Sequence, residues 1–171
     1  MILVTSRERA ALVLGGEHPT VRVDAVVSIG EFRGKPPKGF TSFTGPKLRL
    51  TFDDVDVESN RFGYRGATLA DVEALIRFAE VDAFVPTVLV HCGAGVSRSS
   101  AAALVILAVR GGVEGVAGRL REAVRETIAL NLRSVHAGVY PNRRVVALAD
   151  ECRFGGDLTR ALAELEDPLA R

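Results

Sequence analysis

Between Val85 and Leu107 the chain runs from a short apolar stretch, through a glycine-bearing loop, into a longer apolar stretch. Val85-Pro86-Thr87-Val88-Leu89-Val90 reads as a buried strand, His91-Cys92-Gly93-Ala94-Gly95-Val96-Ser97-Arg98-Ser99 as the loop, and Ser100-Ala101-Ala102-Ala103-Leu104-Val105-Ile106-Leu107 as a helix. A strand that turns sharply into a helix aims the loop amides and the helix N-terminus at one point, which makes a cradle for an anion. The field that favours an anion there also favours the thiolate of a cysteine at its base, here Cys92. Arg98 can hold two oxygens of a tetrahedral oxyanion in its planar fork. Thiolate, amide nest and bidentate arginine together suit the cleavage of a phosphate ester.

The string HCGAGVSRS resembles the HCxxGxxR(S/T) signature of the cysteine-dependent protein tyrosine phosphatase superfamily, and its AGxSRS ending is most similar to the compact dual-specificity branch. The resemblance implies that Cys92 is the nucleophile and that Arg98, with Gly93, Ala94, Gly95, Val96 and Ser97, binds phosphate. It also implies that Ser99 donates to the departing sulfur; the residue pattern alone equally fits Ser99 as the N-cap of the following helix. Ser97 reads as stabilising the loop. His91 reads as a structural hydrogen-bonder behind the loop that helps hold Cys92 ionised, because a strand-end histidine pointing inward cannot meet substrate.

Expulsion of an alkoxide or phenoxide needs a general acid, for which a carboxylate above the cradle is suited. Asp53-Asp54-Val55-Asp56 follows the strand Leu48-Arg49-Leu50-Thr51-Phe52. In dual-specificity phosphatases the acid lies just past such a strand, which places it at Asp54; Asp53 and then Asp56 are the alternatives. The stretch between Asp54 and Cys92 is longer than in compact members, through Glu58 to Gly66, and makes Glu58 an outside candidate. The family often braces its loop with a Pro-Asn pair, matched here by Pro141-Asn142; the pair equally fits a helix start. A long connection from Ile128 to Tyr140 precedes it.

Short β-rich runs alternating with helical ones predict an α/β fold: a mainly parallel central sheet of about four strands flanked by helices. The strands are expected over Ile2–Val4, Ala25–Ile29, Lys47–Phe52 and Thr87–His91, the second and fourth apolar enough to be covered on both faces. Thr68 and Asp71 fit a capping box before a helix with Leu69, Val72, Leu75, Ile76 and Ala79 at helical spacing. Ser99–Arg110, apolar almost all round, is expected to be the buried central helix, ended by Gly111-Gly112. Further helices are expected over Glu114–Leu130, Pro141–Arg153 and Asp157–Glu166.

With 171 residues, 47% of them hydrophobic, the chain can bury one core, so a single phosphatase-like domain over residues 1–171 is expected. A net charge of +1 advertises neither nucleic acid nor an acidic membrane as partner. The two cysteines, Cys92 and Cys152, give no disulfide framework. Cys152 reads as core, or as a backdoor disulfide partner of Cys92. An early charge at Arg7-Glu8 argues against a signal peptide, and no apolar run approaches the ~20 residues that span a bilayer. A cytoplasmic location follows.

No cofactor and no metal is called for. The expected substrate is a phosphorylated protein or a small phosphomonoester. The absence of lysine from the loop disfavours polyphosphorylated lipids, and the few aromatics suggest a shallow site open to phosphotyrosine and to phosphoserine or phosphothreonine. Arg33, Lys35, Lys38, Arg61 and Arg65 are open to steering anions or to being ordinary loop charge. Two rival readings stand beside this one: a non-catalytic phosphate-binding module, and a sulfur- or arsenate-handling enzyme with the same cysteine–arginine loop.

Overall fold

The computed structural model describes residues 1–18, 20–56, 63–81, 85–136 and 138–167. Strands β1 (Ile2–Ser6), β2 (Ala25–Gly30), β3 (Lys47–Thr51) and β4 (Val88–Cys92) form a sheet in the order β1-β4-β2-β3, with every pairing parallel. The expected strands are all there, their ends displaced by a residue or two. Alternation along each strand divides the sheet's two faces. Ile2, Val4, Ala25, Val27, Ile29, Val88 and Val90 enter the larger core cluster, while Leu3, Val26 and Leu89 enter a smaller cluster on the other side. Both faces are covered, which is why β2 and β4 are almost wholly apolar.

The larger cluster is roofed by helices α2 (Leu69–Val81), α3 (Arg98–Gly111), α4 (Val116–Ala129), α5 (Arg143–Ala149) and α6 (Asp157–Glu166). Helix α3 is buried from Arg98 through Ile106, as its unbroken apolar surface requires. Gly112, at φ 76°, reverses the chain after it. Thr68 and Asp71 make both bonds of the expected box: the Thr68 N–H donates to Asp71 (2.9 Å) and the Asp71 N–H to Thr68 Oγ (3.3 Å).

Two helical expectations need correction. Helix α1 (Arg7–Leu14) was not anticipated. Its sequence is charged at one end and apolar at the other, with no stripe at helical spacing. It forms because Ser6 accepts from the Arg9 N–H at 3.3 Å and because Ala10 and Val13 close the sheet's second face. The helix expected over Pro141–Arg153 instead begins after Asn142, whose side chain caps it, and passes at Asp150–Phe154 into a π-helical turn. That turn frees the Asp150 carboxylate to cap α6 through the N–H groups of Leu158 and Thr159, both at 2.9 Å.

Strand β1 lies at the sheet's edge, and an unpaired buried amide there would be costly. Thr127 of α4 removes the problem. Its hydroxyl donates to the Ala123 carbonyl (2.6 Å) and accepts from the Val4 N–H (3.0 Å), with both Thr127 and Val4 fully buried. Among the described residues, no helix is long and apolar enough to cross a membrane. Thr127→Val conserves volume but strands the Val4 amide, so urea unfolding should show a loss of about 2 kcal/mol; a loss below the scatter of the measurement would mean that the amide finds another acceptor.

Candidate active site

All four strands end on one side of the sheet, where ligands of open parallel sheets bind. The loop from Cys92 to Arg98 joins β4 to α3 there, between the ends of β1 and β2. Its carbonyls are tied outward. Gly93 O accepts from the Arg7 N–H (3.1 Å), Val96 O from Tyr140 (3.3 Å) and Ser97 O from Asn142 (3.2 Å), while Gly95 O accepts from the Arg133 guanidinium. In a planar trans peptide the N–H opposes the carbonyl, so the amides of residues 94, 96, 97 and 98 turn toward the inside of the loop. Gly95, at φ 79°, lies against β1: a Cβ there would fall 2.5 Å from the Thr5 carbonyl carbon.

Cys92 forms the floor and is 1% exposed. Its Sγ accepts from the Gly95 N–H at 3.2 Å and lies 3.2 Å from Ser99 Oγ. Ser99 is fully buried inside the first turn of α3, and the N-cap position falls to Ser97. The cap reading of Ser99 is therefore wrong, because the helix begins one residue earlier than expected.

Arg98 is 4% exposed and is clamped from two sides. One terminal nitrogen donates to the Phe52 carbonyl (2.8 Å) and the other to Glu31 (3.1 Å). Its buried Nε has no hydrogen-bond partner and lies 3.7 Å from Asp54 Oδ2. A fixed guanidinium with an unused buried donor suits an oxyanion. Glu31, just past β2, was missed by sequence reasoning. Its carboxyl is held below the usual range by its own backbone amide and by Arg98. Beneath it Arg49 donates to Ser28 (2.7 Å) and to the Gly34 carbonyl (2.8 Å), bracing the turn that presents Glu31.

The three aspartates diverge. Asp54 Oδ1 accepts from Ser97 Oγ (2.6 Å) and Asn142 Nδ2 (3.0 Å), which sets the carboxylate on the rim beside Arg98. Asp53 turns away to accept from the backbone amides of Phe32 (3.3 Å) and Arg65 (2.9 Å). Asp56 accepts from the Arg143 amide at the start of α5 (3.2 Å). Glu58 and Arg61 lie outside the described residues. Asn142 fills both of its anticipated places, since its Oδ1 also accepts from the Val145 N–H to cap α5 (3.1 Å).

Of the basic residues considered for steering, Arg65 is structural, bonded to the Thr51 carbonyl and to Asp71 (2.9 Å), and Lys38 pairs with Glu17 (3.0 Å). Lys38 and Arg7 also flank a hollow of about 460 Å³ that adjoins the loop at Gly93 and Glu31. Cys92 and Cys152 are both free. Cys152 lies in the π-helical turn Asp150–Phe154 and packs, partly buried, against the larger core cluster, in keeping with its reading as core. Among the described residues no cluster could hold a metal ion.

This fold, a parallel sheet whose last strand delivers a cysteine–arginine loop into a buried helix, is that of the dual-specificity phosphatases. The chain superimposes on DUSP15 with a TM-score of 0.54 at 17% identity, covering 98% of this chain and 91% of that one. The Yvh1 phosphatase domain from Chaetomium thermophilum gives 0.53 at 18% identity and 91% of each chain. Human DUSP28 gives 0.52 at 17% identity, over 96% of this chain and 93% of the other. No protein-family model matches the sequence, and no curated protein matches it.

His91 is fully buried, with Nδ1 3.4 Å from the Cys92 carbonyl oxygen and Nε2 without a partner. Burial, reinforced by the positive charges of Arg49, Arg7 and Arg98, brings its pKa from 6.5 down to about 4. The native protein thus refuses a proton that the unfolded chain accepts below pH 6.5. The stability this confers is complete above that pH and is lost as pH falls toward 4, a change of about 3 kcal/mol. Against His91→Gln, the wild type should lose about that much more unfolding free energy between pH 7 and pH 4; parallel curves for the two proteins would refute a neutral buried imidazole.

Proposed function

We propose that the protein, read as one domain over residues 1–171, hydrolyses phosphate monoesters through a phosphocysteine on Cys92. Its substrates are phosphotyrosine, and in the shallow-site reading phosphoserine or phosphothreonine, on cytoplasmic proteins, or small phosphomonoesters. The observation that carries the reading is the convergence on one point of Cys92 Sγ, the inward amides, Arg98 Nε and the Asp54 carboxylate.

In the first step the Cys92 thiolate attacks phosphorus in line, the P–S bond forms, and the P–O bond to the leaving group breaks. Asp54 gives its proton to the departing oxygen. Arg98 and the loop amides stabilise the equatorial oxygens, where charge is spread in the transition state. Arg98 performs this at little cost in reorganisation, because Phe52 and Glu31 already fix its plane. In the second step Asp54 takes a proton from water, which attacks phosphorus and releases inorganic phosphate. The sulfur leaves as a thiolate and accepts a hydrogen bond from the Ser99 hydroxyl, 3.2 Å away. Asn142 and Ser97 hold Asp54 over the cradle throughout. His91 is neutral and shielded from substrate, so its part is to pack behind the loop.

Two measurements test the reading. Cys92→Ser should abolish turnover of an aryl phosphate while keeping the fold and tungstate binding; near-normal turnover would exclude the mechanism. Asp54→Asn should lower kcat by about 100-fold and flatten one limb of the pH–rate profile. Asp53→Asn and Asp56→Asn should keep both limbs, since those carboxylates serve backbone amides. A profile altered only by Asp53→Asn or Asp56→Asn would move the acid to that residue.

A further inference from the structure

Arg133 follows α4, in a turn made possible by Asn131 at φ 57°. That left-handed residue reverses the chain so that the Leu132 amide returns to the Thr127 carbonyl (3.0 Å) and Leu132 is buried against the second face of the sheet. Thr5 of β1 donates to the Leu132 carbonyl, pinning the turn to the edge strand. Arg133 is delivered behind the Cys92–Arg98 loop, 8% exposed. One terminal nitrogen of its fork donates to the Gly95 carbonyl and reaches the Val4 carbonyl at 3.5 Å; the other donates to the Gly138 carbonyl. A single guanidinium thus joins β1, the cradle and the connection leading to Tyr140 and Asn142, whose own amides hold Val96 and Ser97.

We propose that Arg133 is a positioning residue: its fork holds the Gly95 peptide in the cradle conformation, and its buried charge stabilises the Cys92 thiolate from behind the loop. The Gly95 N–H donates to Cys92 Sγ. A cation on the Gly95 carbonyl polarises the 95–96 peptide, whose Val96 N–H turns into the cradle, and cannot reach substrate, because the loop lies between. Burial depresses the Arg133 pKa, and the negative sulfur of Cys92 opposes that depression, so the two charges act on each other through the loop. In a medium that screens little, a buried cation behind the loop attracts negative charge placed on the sulfur. The other charged groups around the loop are Arg7 at the start of α1, Glu31 after β2, Asp54 after β3 and Arg98 on α3. These, with neutral His91, keep their own partners when Arg133 is replaced.

The inference rests on Cys92 being the reactive thiol, but its test needs no turnover. Alkylation of Cys92 by iodoacetamide, a neutral probe of thiolate, is followed by mass spectrometry in the wild type, Arg133→Gln and Arg133→Lys. Arg133→Gln should react about tenfold more slowly at pH 6 and converge on the wild type at pH 9. Arg133→Lys keeps a cation but cannot span two carbonyls, so it should alkylate at close to the wild-type rate at pH 6 and bind tungstate about tenfold more weakly. Wild-type alkylation of folded Arg133→Gln at pH 6 would overturn the proposal. Should that variant fail to fold by circular dichroism, wild-type tungstate affinity in Arg133→Lys overturns it instead. A protein that hydrolyses no phosphomonoester yet shows these shifts would refute the catalytic reading and leave the role of Arg133 standing.

Discussion

The outward tethering of the loop carbonyls is the constraint on which the rest of the site depends. Peptide dipoles left to themselves would point their amides at the nearest acceptor or at water. Here donors from three separate places take the carbonyls: the start of α1, the turn after α4, and the Tyr140–Asn142 segment. The amides are left facing one another across a small space, with a buried sulfur beneath them. Like dipole ends brought together repel, so the arrangement is favourable only when an anion, or the thiolate, sits among them.

The tethers explain features of the fold that the core alone does not require. Helix α1 buries only a few apolar residues, yet its first amide holds Gly93. Arg133 and Asn142 are among the few buried polar side chains of the C-terminal half, and both end at the loop or its aspartate. Arg98 crosses from α3 to the end of β3 and to the turn after β2, so three elements must dock before its guanidinium acquires a plane. Folding and assembly of the site are in this sense one event.

The strand–loop–helix unit was legible because its information is local. An apolar run, two glycines and a second apolar run leave few alternatives over so short a stretch, and short β-rich runs marked the other strands in the same local way. What escaped sequence reading was long-range. Glu31 and Arg133 lie far along the chain from Cys92, with no periodicity or motif to mark them. An arginine before a loop looks like any surface arginine until its carbonyl partners are known. Helix α1 went unread because the signal that makes it helical, Ser6 three residues before Arg9, is weak without a sheet to cover. Asp53, Asp54 and Asp56 are chemically alike. They separate only because successive side chains of an extended segment point in different directions, one toward the Phe32 and Arg65 amides, one toward Arg98 and one toward α5.

By itself the sequence determined the layered α/β class, the parallel sheet and the chemical pairing of Cys92 with Arg98, since each follows from hydrophobic period and from residues close together in the chain. Only the tertiary structure decided which carboxylate stands beside Arg98, which groups turn the loop amides inward and which cation lies behind the sulfur. Those choices depend on side chains that meet across the ends of different strands. Neither propensity nor spacing encodes such a meeting; it exists only when the sheet has closed and the helices have docked.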